Sequence, residues 1–131
     1  PSVSHARARF LAASAQRLPF GDGIFDAVIC TAAFHHFPMP AAALIEIRRV
    51  LRPGGMLLLT DACRDQSVAT WVWDRLHRCF EKGHVQYYRT DELHRLTAEA
   101  GFQHIEMTTL SPSYAQTRKL TRKATLFTAV A

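Results

Sequence analysis

Phe34, His35, His36 and Phe37 set two imidazole rings between two aromatic ones. An imidazole changes charge near neutral pH, so either histidine can take a proton from a hydroxyl, amine or carboxyl group, or hold such a group by a hydrogen bond. A structural use is equally open to the pair, with one or both rings capping the following loop and packing beneath it. Asp61 and the aromatic residues Trp71, Trp73, Tyr87 and Tyr88 are further side chains of a kind that lines a small-molecule pocket. Asp61 either points into such a pocket or belongs to a polar rim in which Asp65 and Ser67 cap the next helix. Trp71 falls in an apolar series at helical spacing, where core packing is the ordinary role. His77, Cys79 and His84 match no zinc-ligand spacing, and no metal is expected.

The elements that must position these groups follow from the flanking residues. Ala27 to Cys30 is an unbroken apolar run without alternation, which suits a strand covered on both faces of a parallel sheet. Thr31, Ala32 and Ala33 then lie where the backbone leaves the sheet, the place where open α/β sheets collect ligands. From Pro40 to Arg52, Leu44, Ile47, Val50 and Leu51 recur at helical spacing, with Glu46, Arg48, Arg49 and Arg52 left for solvent. Pro53, Gly54 and Gly55 form a tight reversal into a second apolar strand, Met56 to Thr60. A strand, a helix and a strand of this kind make one parallel crossover unit.

Farther along, Ser67 to Phe80 reads as an amphipathic helix. Its apolar series is Val68, Trp71, Val72, Leu76, Cys79 and Phe80. Thr90 is expected as the N-cap of another helix, with Asp91 and Glu92 in its first turn, Leu93, Leu96 and Ala100 inside, and Gly101 closing it. Residues 102–110 read as a strand, Ser111-Pro112-Ser113 as a break, and Ala124 to Ala131 as a last strand. At the other end, Ser4 to Arg9 reads as the tail of a helix and Phe10-Leu11-Ala12-Ala13 as a short strand.

With 131 residues and 48% hydrophobic content, the chain is expected to form a single globular domain, residues 1–131. The net charge of +5 is uneven: Arg7, Arg9 and Arg17 near the start and Arg118, Lys119, Arg122 and Lys123 near the end have no acid beside them. Those ends lack the interleaved aromatics that stack bases, so they are read as solvated edges and nucleic acid is not expected as a partner. Three cysteines without paired spacing point to a reducing, cytoplasmic setting. No stretch is long and apolar enough to span a bilayer, and no membrane association is expected.

Several segments, in order, carry a family resemblance: Leu18-Pro19-Phe20, Phe25 to Val28, Phe34-His35-His36, Glu46 to Gly55, Gly83-His84-Val85, Thr90 to Leu93 and Ala100-Gly101-Phe102. Each is common alone; together, at these spacings, they resemble the class I S-adenosylmethionine-dependent methyltransferases. The nearest branch is the small-molecule one that includes the ubiquinone and menaquinone biosynthesis enzymes. The resemblance implies an α/β, Rossmann-like sheet whose last strand is antiparallel, and S-adenosyl-L-methionine as cofactor. It covers only the carboxyl-terminal part, about five of the family's seven strands and not the first two. The family's Gly-x-Gly-x-Gly turn and the acid that holds the ribose hydroxyls have no counterpart, since all six glycines lie at position 21 or later and no acid precedes Asp22.

Carried over residue by residue, the resemblance puts Ser14 and Ala15 beside the adenine, with Ser14 where the family has an acid. Cys30 and Thr31 fall beside the methionine part of the cofactor. His35 and His36 are the candidate base or acceptor-orienting groups, and Asp61, Trp71, Tyr87 and Tyr88 line the acceptor pocket. The expected function is methyl transfer to a small molecule, by a fragment or truncated form. The alternative is a non-catalytic module that keeps the scaffold and binds a ligand or forms a homodimer. In the family the two missing strands separate the segment at Phe10–Ala13 from that at Phe25–Cys30. Their loss leaves an open apolar sheet edge suited to such pairing.

Overall fold

The computed structural model of the chain describes residues 9–65, 68–80, 83, 85–110 and 124–131. Its strands are β1 (Phe25–Thr31), β2 (Leu51–Asp61), β3 (Gln103–Leu110) and β4 (Ala124–Val130), and its helices are α1 (Pro40–Val50), α2 (Val68–Phe80) and α3 (Thr90–Glu99). A single 3-10 turn, Phe34–His36, lies between β1 and α1. The sheet order is β1-β2-β4-β3. β1 and β2 are parallel, joined through α1 as the sequence suggests, and β4 runs antiparallel to both β2 and β3.

Phe10–Ala13 does not form the expected strand, so the described sheet has four strands. Phe10 is 97% and Leu11 61% exposed, and the only ladder contact nearby is an isolated bridge between Ser14 and Arg17. A strand needs a neighbour to take its backbone hydrogen bonds, and this segment has none among the described residues. The expected helix at Ser4–Arg9 lies outside the described residues except for Arg9, which is irregular, and the break at Ser111–Ser113 lies outside them altogether.

β1 is covered on one face only. Strand register places Val28 and Cys30 on the same face as Leu57, Leu59, Phe127 and Ala129, and most of that face is core, where Leu44 and Ile47 of α1 and Leu93 of α3 pack against it. On the other face, Ala27 is exposed, as are Ile29 (71%) and its neighbour Met56 (44%). The continuous apolar run therefore does not mark a strand buried on both sides. β1 is an edge strand, and its second apolar face meets no layer among the described residues.

The residues expected to face solvent on and just after α1 are also fasteners, although Arg48 and Arg52 remain exposed. Glu46 accepts the Leu18 N–H at 2.8 Å and the Arg49 Nε–H at 2.7 Å, while Arg49 donates to the carbonyls of Leu18 and Phe20 and to Asp22. Together they pin residues 18–22 to the helix. Those hydrogen bonds, with Arg49 first, hold the Glu46 carboxyl down to about 2. Arg48 donates to the Gly101 carbonyl at 2.9 Å, joining α1 to the end of α3, and Arg52 pairs with Asp26 at 2.6 Å.

Pro53-Gly54-Gly55 is a bulge inside β2 rather than a reversal before it. Leu51 follows α1 directly and pairs with Phe25, and the next pair is Ala27 with Met56. Gly54 has φ +77°, a conformation that favours glycine. Gly55 is confined by space: a Cβ there would stand 2.9 Å from the Arg52 carbonyl oxygen and 3.2 Å from that of Asp26. Gly55→Ala is accordingly expected to lower the unfolding free energy by about 1–3 kcal/mol. The measurement is the urea midpoint at constant m-value, and an unchanged midpoint would show that the bulge relaxes freely. No helix among the described residues is long and apolar enough to cross a membrane.

Candidate active site

The site begins where β1 ends. Ala32, at φ +47°, turns the chain out of the sheet while its N–H donates to the Thr60 carbonyl at 2.8 Å. The 3-10 turn follows. Phe34 is fully buried, in ring contact with Phe37 at 5.4 Å and Tyr88 at 5.3 Å. That anchor seats His35 over Asp61, the last residue of the adjacent strand β2.

Asp61 grips His35 from two directions. One carboxylate oxygen lies 2.8 Å from His35 Nδ1; the other accepts the His35 backbone N–H at 3.0 Å and is also 3.0 Å from Nδ1. The Ala62 N–H donates to the first oxygen at 2.8 Å. His35 is 8% and Asp61 6% exposed, so the pair is shielded from water. An ionised carboxylate only accepts hydrogen bonds, which makes Nδ1 the donor and leaves Nε2 as the basic nitrogen of the neutral ring. Orientation and tautomer are thereby fixed together.

A cluster of rings extends from this dyad toward α2. His36 stacks on His35 with ring centres 4.0 Å apart, and its Nδ1 donates to the Gly83 carbonyl at 2.9 Å. Tyr87 is 4.9 Å from the His35 ring, and its hydroxyl lies 3.4 Å from His77 Nδ1. The Tyr87 N–H donates at 2.7 Å to Asp74, which is 2% exposed. The carbonyl of His35 accepts from the N–H groups of Val85 and Gln86, so the chain before α3 closes over the turn.

The structure thus brings His35, His36, Asp61 and Tyr87 together. Tyr88 goes into the core beside Phe34, while Trp71 stands half exposed on α2. Two concavities flank Trp71 near the end of β2, and neither is lined by Thr31 or His36. Cys30 is buried, and burial, with the charge of Asp61 second, pushes its thiol up to about 11. It remains a thiol at neutral pH. Thr31 is exposed at the strand end opposite Thr60. Ser14 and Ala15 lie in a turn where the Ser14 hydroxyl accepts the Gln16 N–H at 3.3 Å.

α2 departs from its expected packing. Val68 (79%), Trp71 (52%), Val72 (41%), Leu76 (42%) and Phe80 (83%) are exposed, Cys79 is exposed as well, and among the described side chains of the helix the buried one is Asp74. The apolar stripe is present, but the helix is fastened by its one acid. Asp65 also has a different task. It accepts from the backbone N–H and hydroxyl of Thr90, so Thr90 is the first residue of α3 rather than its cap, and Arg89 takes the N-cap position with its N–H donating to Glu92 at 3.0 Å. The sequence had marked neither Asp74 nor His77 for this site; the only hint was an isolated acid within an aromatic helix. No group of three His, Cys, Asp or Glu side chains among the described residues could hold a metal, and His84 lies outside them.

Comparison with known proteins now bears on this arrangement. Residues 2–59 match the model of a family described as a methyltransferase domain. A phthiotriol/phenolphthiotriol dimycocerosates methyltransferase of Mycobacterium ulcerans is 43% identical over 65 residues, 50% of this chain and 24% of that protein. A fatty-acid O-methyltransferase of Mycolicibacterium smegmatis is 44% identical over 62 residues, 47% of this chain and 23% of that protein. Each match thus takes in less than a quarter of the curated relative's length. The solved structure of the YcgJ protein from Bacillus subtilis superposes with a TM-score of 0.72 at 22% identity, over 93% of this chain and 70% of that one.

Proposed function

The chain belongs to the class I S-adenosylmethionine-dependent methyltransferases, and from that premise we propose that it serves methyl transfer to a small-molecule acceptor, within a larger unit that supplies the glycine-rich cofactor turn. The observation that carries this reading is the buried Asp61–His35 dyad at the adjoining ends of two parallel strands. That position is where open α/β sheets gather ligands. The acceptors named for the two mycobacterial relatives, a fatty acid and phthiotriol dimycocerosates, support a small molecule.

The fit to the cofactor is partial. Cys30 and Thr31, at the end of β1, would hold its methionine part through backbone groups, and the Ser14 hydroxyl would accept from the adenine amino group. No acid for the ribose precedes Asp22. When bound, S-adenosylmethionine supplies the electrophilic methyl group. His35, oriented by Asp61, takes a proton from the acceptor at Nε2, and Asp61 stabilises the resulting imidazolium. His36 and Tyr87 hold the ring's flanks, and orientation of this sort contributes up to roughly 7–11 kcal/mol to such a reaction. The reading places the chain in a reducing cytoplasm, which its three free thiols support.

A second reading, a non-catalytic module that forms a homodimer, draws on the open β1 edge and the 71% exposed Ile29. Calorimetric titration with S-adenosylhomocysteine separates the two. Binding with a Kd on the order of micromolar is expected for the enzyme once the chain is joined to the part that supplies that turn; absence of heat even there, together with a stable dimer in sedimentation, would favour the module.

A further inference from the structure

Two concavities adjoin where α2 faces the loop after β2. Arg64, Asp65, Trp71, Asp74, Arg75 and Arg89 line the first. The second shares Arg64, Asp65 and Trp71 and adds Val68. Positions 68, 71, 74 and 75 fall on one side of a helix, so α2 presents them as a single wall. The two spaces differ in chemistry: one is rich in charge, and the other runs along the exposed Val68 and Trp71.

Most charges in the first space are committed. Arg64 pairs with Glu92 and Arg89 with Asp91. Asp65 accepts from Thr90, and Asp74 from the Tyr87 N–H. Arg75 differs. Among the described residues it meets no carboxylate, and its guanidinium carbon stands 5.8 Å from the centre of the Trp71 ring. A guanidinium beside an indole is partly shielded from water and offers a planar fork of donors, which matches a carboxylate through two parallel hydrogen bonds. Asp65 and Asp74 are the acids facing an anion there; Thr90 and Arg89 engage Asp65, and the Tyr87 N–H engages Asp74.

We propose that this double concavity binds a small amphiphilic carboxylic acid, with Arg75 taking the carboxylate and Trp71 and Val68 the apolar part. The proposal rests on the small-molecule reading above only in naming that acid the methyl acceptor, through a protonated group other than the carboxylate that Arg75 holds; the binding itself needs no cofactor. It adds a ligand class and a specificity residue, Arg75, to the site.

The chain's two tryptophans are both on α2, so Trp73→Phe leaves Trp71 as a fluorescence reporter. Decanoate, decanol and decyltrimethylammonium, each below its micelle concentration, are titrated in turn. Decanoate is expected to bind about tenfold more tightly than either of the others. In Arg75→Gln that preference is expected to vanish, with decanol binding unmoved. Equal affinities, no response to any of the three, or a preference that survives Arg75→Gln overturns the proposal. Calorimetry on the parent chain, with both tryptophans, gives the same comparison should Trp73→Phe perturb the fold. A decanoate preference without S-adenosylhomocysteine binding would keep this site and remove the methyltransferase reading; the reverse pattern would do the opposite.

Discussion

Asp61→Ala is expected to lower the unfolding free energy by about 3–5 kcal/mol, against a total of about 5–15 kcal/mol for a domain of this kind. The size follows from what the side chain holds. Its two oxygens accept from the His35 backbone N–H, from His35 Nδ1 and from the Ala62 N–H, all within 3.0 Å. Alanine would leave the two His35 donors in a place only 6–8% exposed, with the Ala62 N–H half-buried beside them, and each buried donor without an acceptor costs about 1–3 kcal/mol, less what entering water restores. A double-mutant cycle with His35→Ala tests the attribution. If the dyad is the unit, removing His35 from the Asp61→Ala background adds little further loss; additive losses would mean that the two residues act separately.

Phe34→Ala should be comparably severe, about 3–5 kcal/mol. The ring is fully buried between Phe37 and Tyr88 as part of the main core cluster, so its removal leaves a cavity there. Phe34→Leu keeps most of that volume and is expected to cost under about 1.5 kcal/mol. The substitution also reaches the site, because Phe34 and His35 share one turn. Hydrogen exchange reads this separately: the His35 amide, bonded to Asp61, should exchange faster in Phe34→Ala even under conditions where the protein remains folded. Unaltered exchange there would show that the dyad does not depend on the anchor.

Much of the fold was legible because its signals are local. Proline at the start of α1, the spacing of Leu44, Ile47 and Val50, the acids opening α3 and the glycine closing it each act within a turn or two, and the structure keeps them. What the sequence hid is long-range. His35 and Asp61 could each be singled out as chemically capable, but their pairing depends on two strands standing side by side across 26 residues of chain. Glu46 and Arg49 looked like surface charges because helical periodicity assigns a face and says nothing of what crosses over it.

The misread strand and the misread helix have one cause. An apolar pattern shows that a surface is suited to burial, and does not show that anything is there to bury it. In β1 the pattern ran through both faces and one is open among the described residues; in α2 the stripe is real and exposed, and Asp74 holds the helix instead. Phe10–Ala13 is the same lesson in a segment with no neighbour to pair with among the described residues.

The direct passage from Val50 into Leu51, with no connecting residue, bears on how this stretch can change over generations. Helix phase and strand register are locked to one another there. Adding or deleting a single residue between Ile47 and Leu51 would swing Leu44 and Ile47 by about 100° around the helix axis relative to the sheet. Length variation among descendants of this chain should therefore accumulate elsewhere, leaving this stretch open to replacement of side chains but closed to gaps.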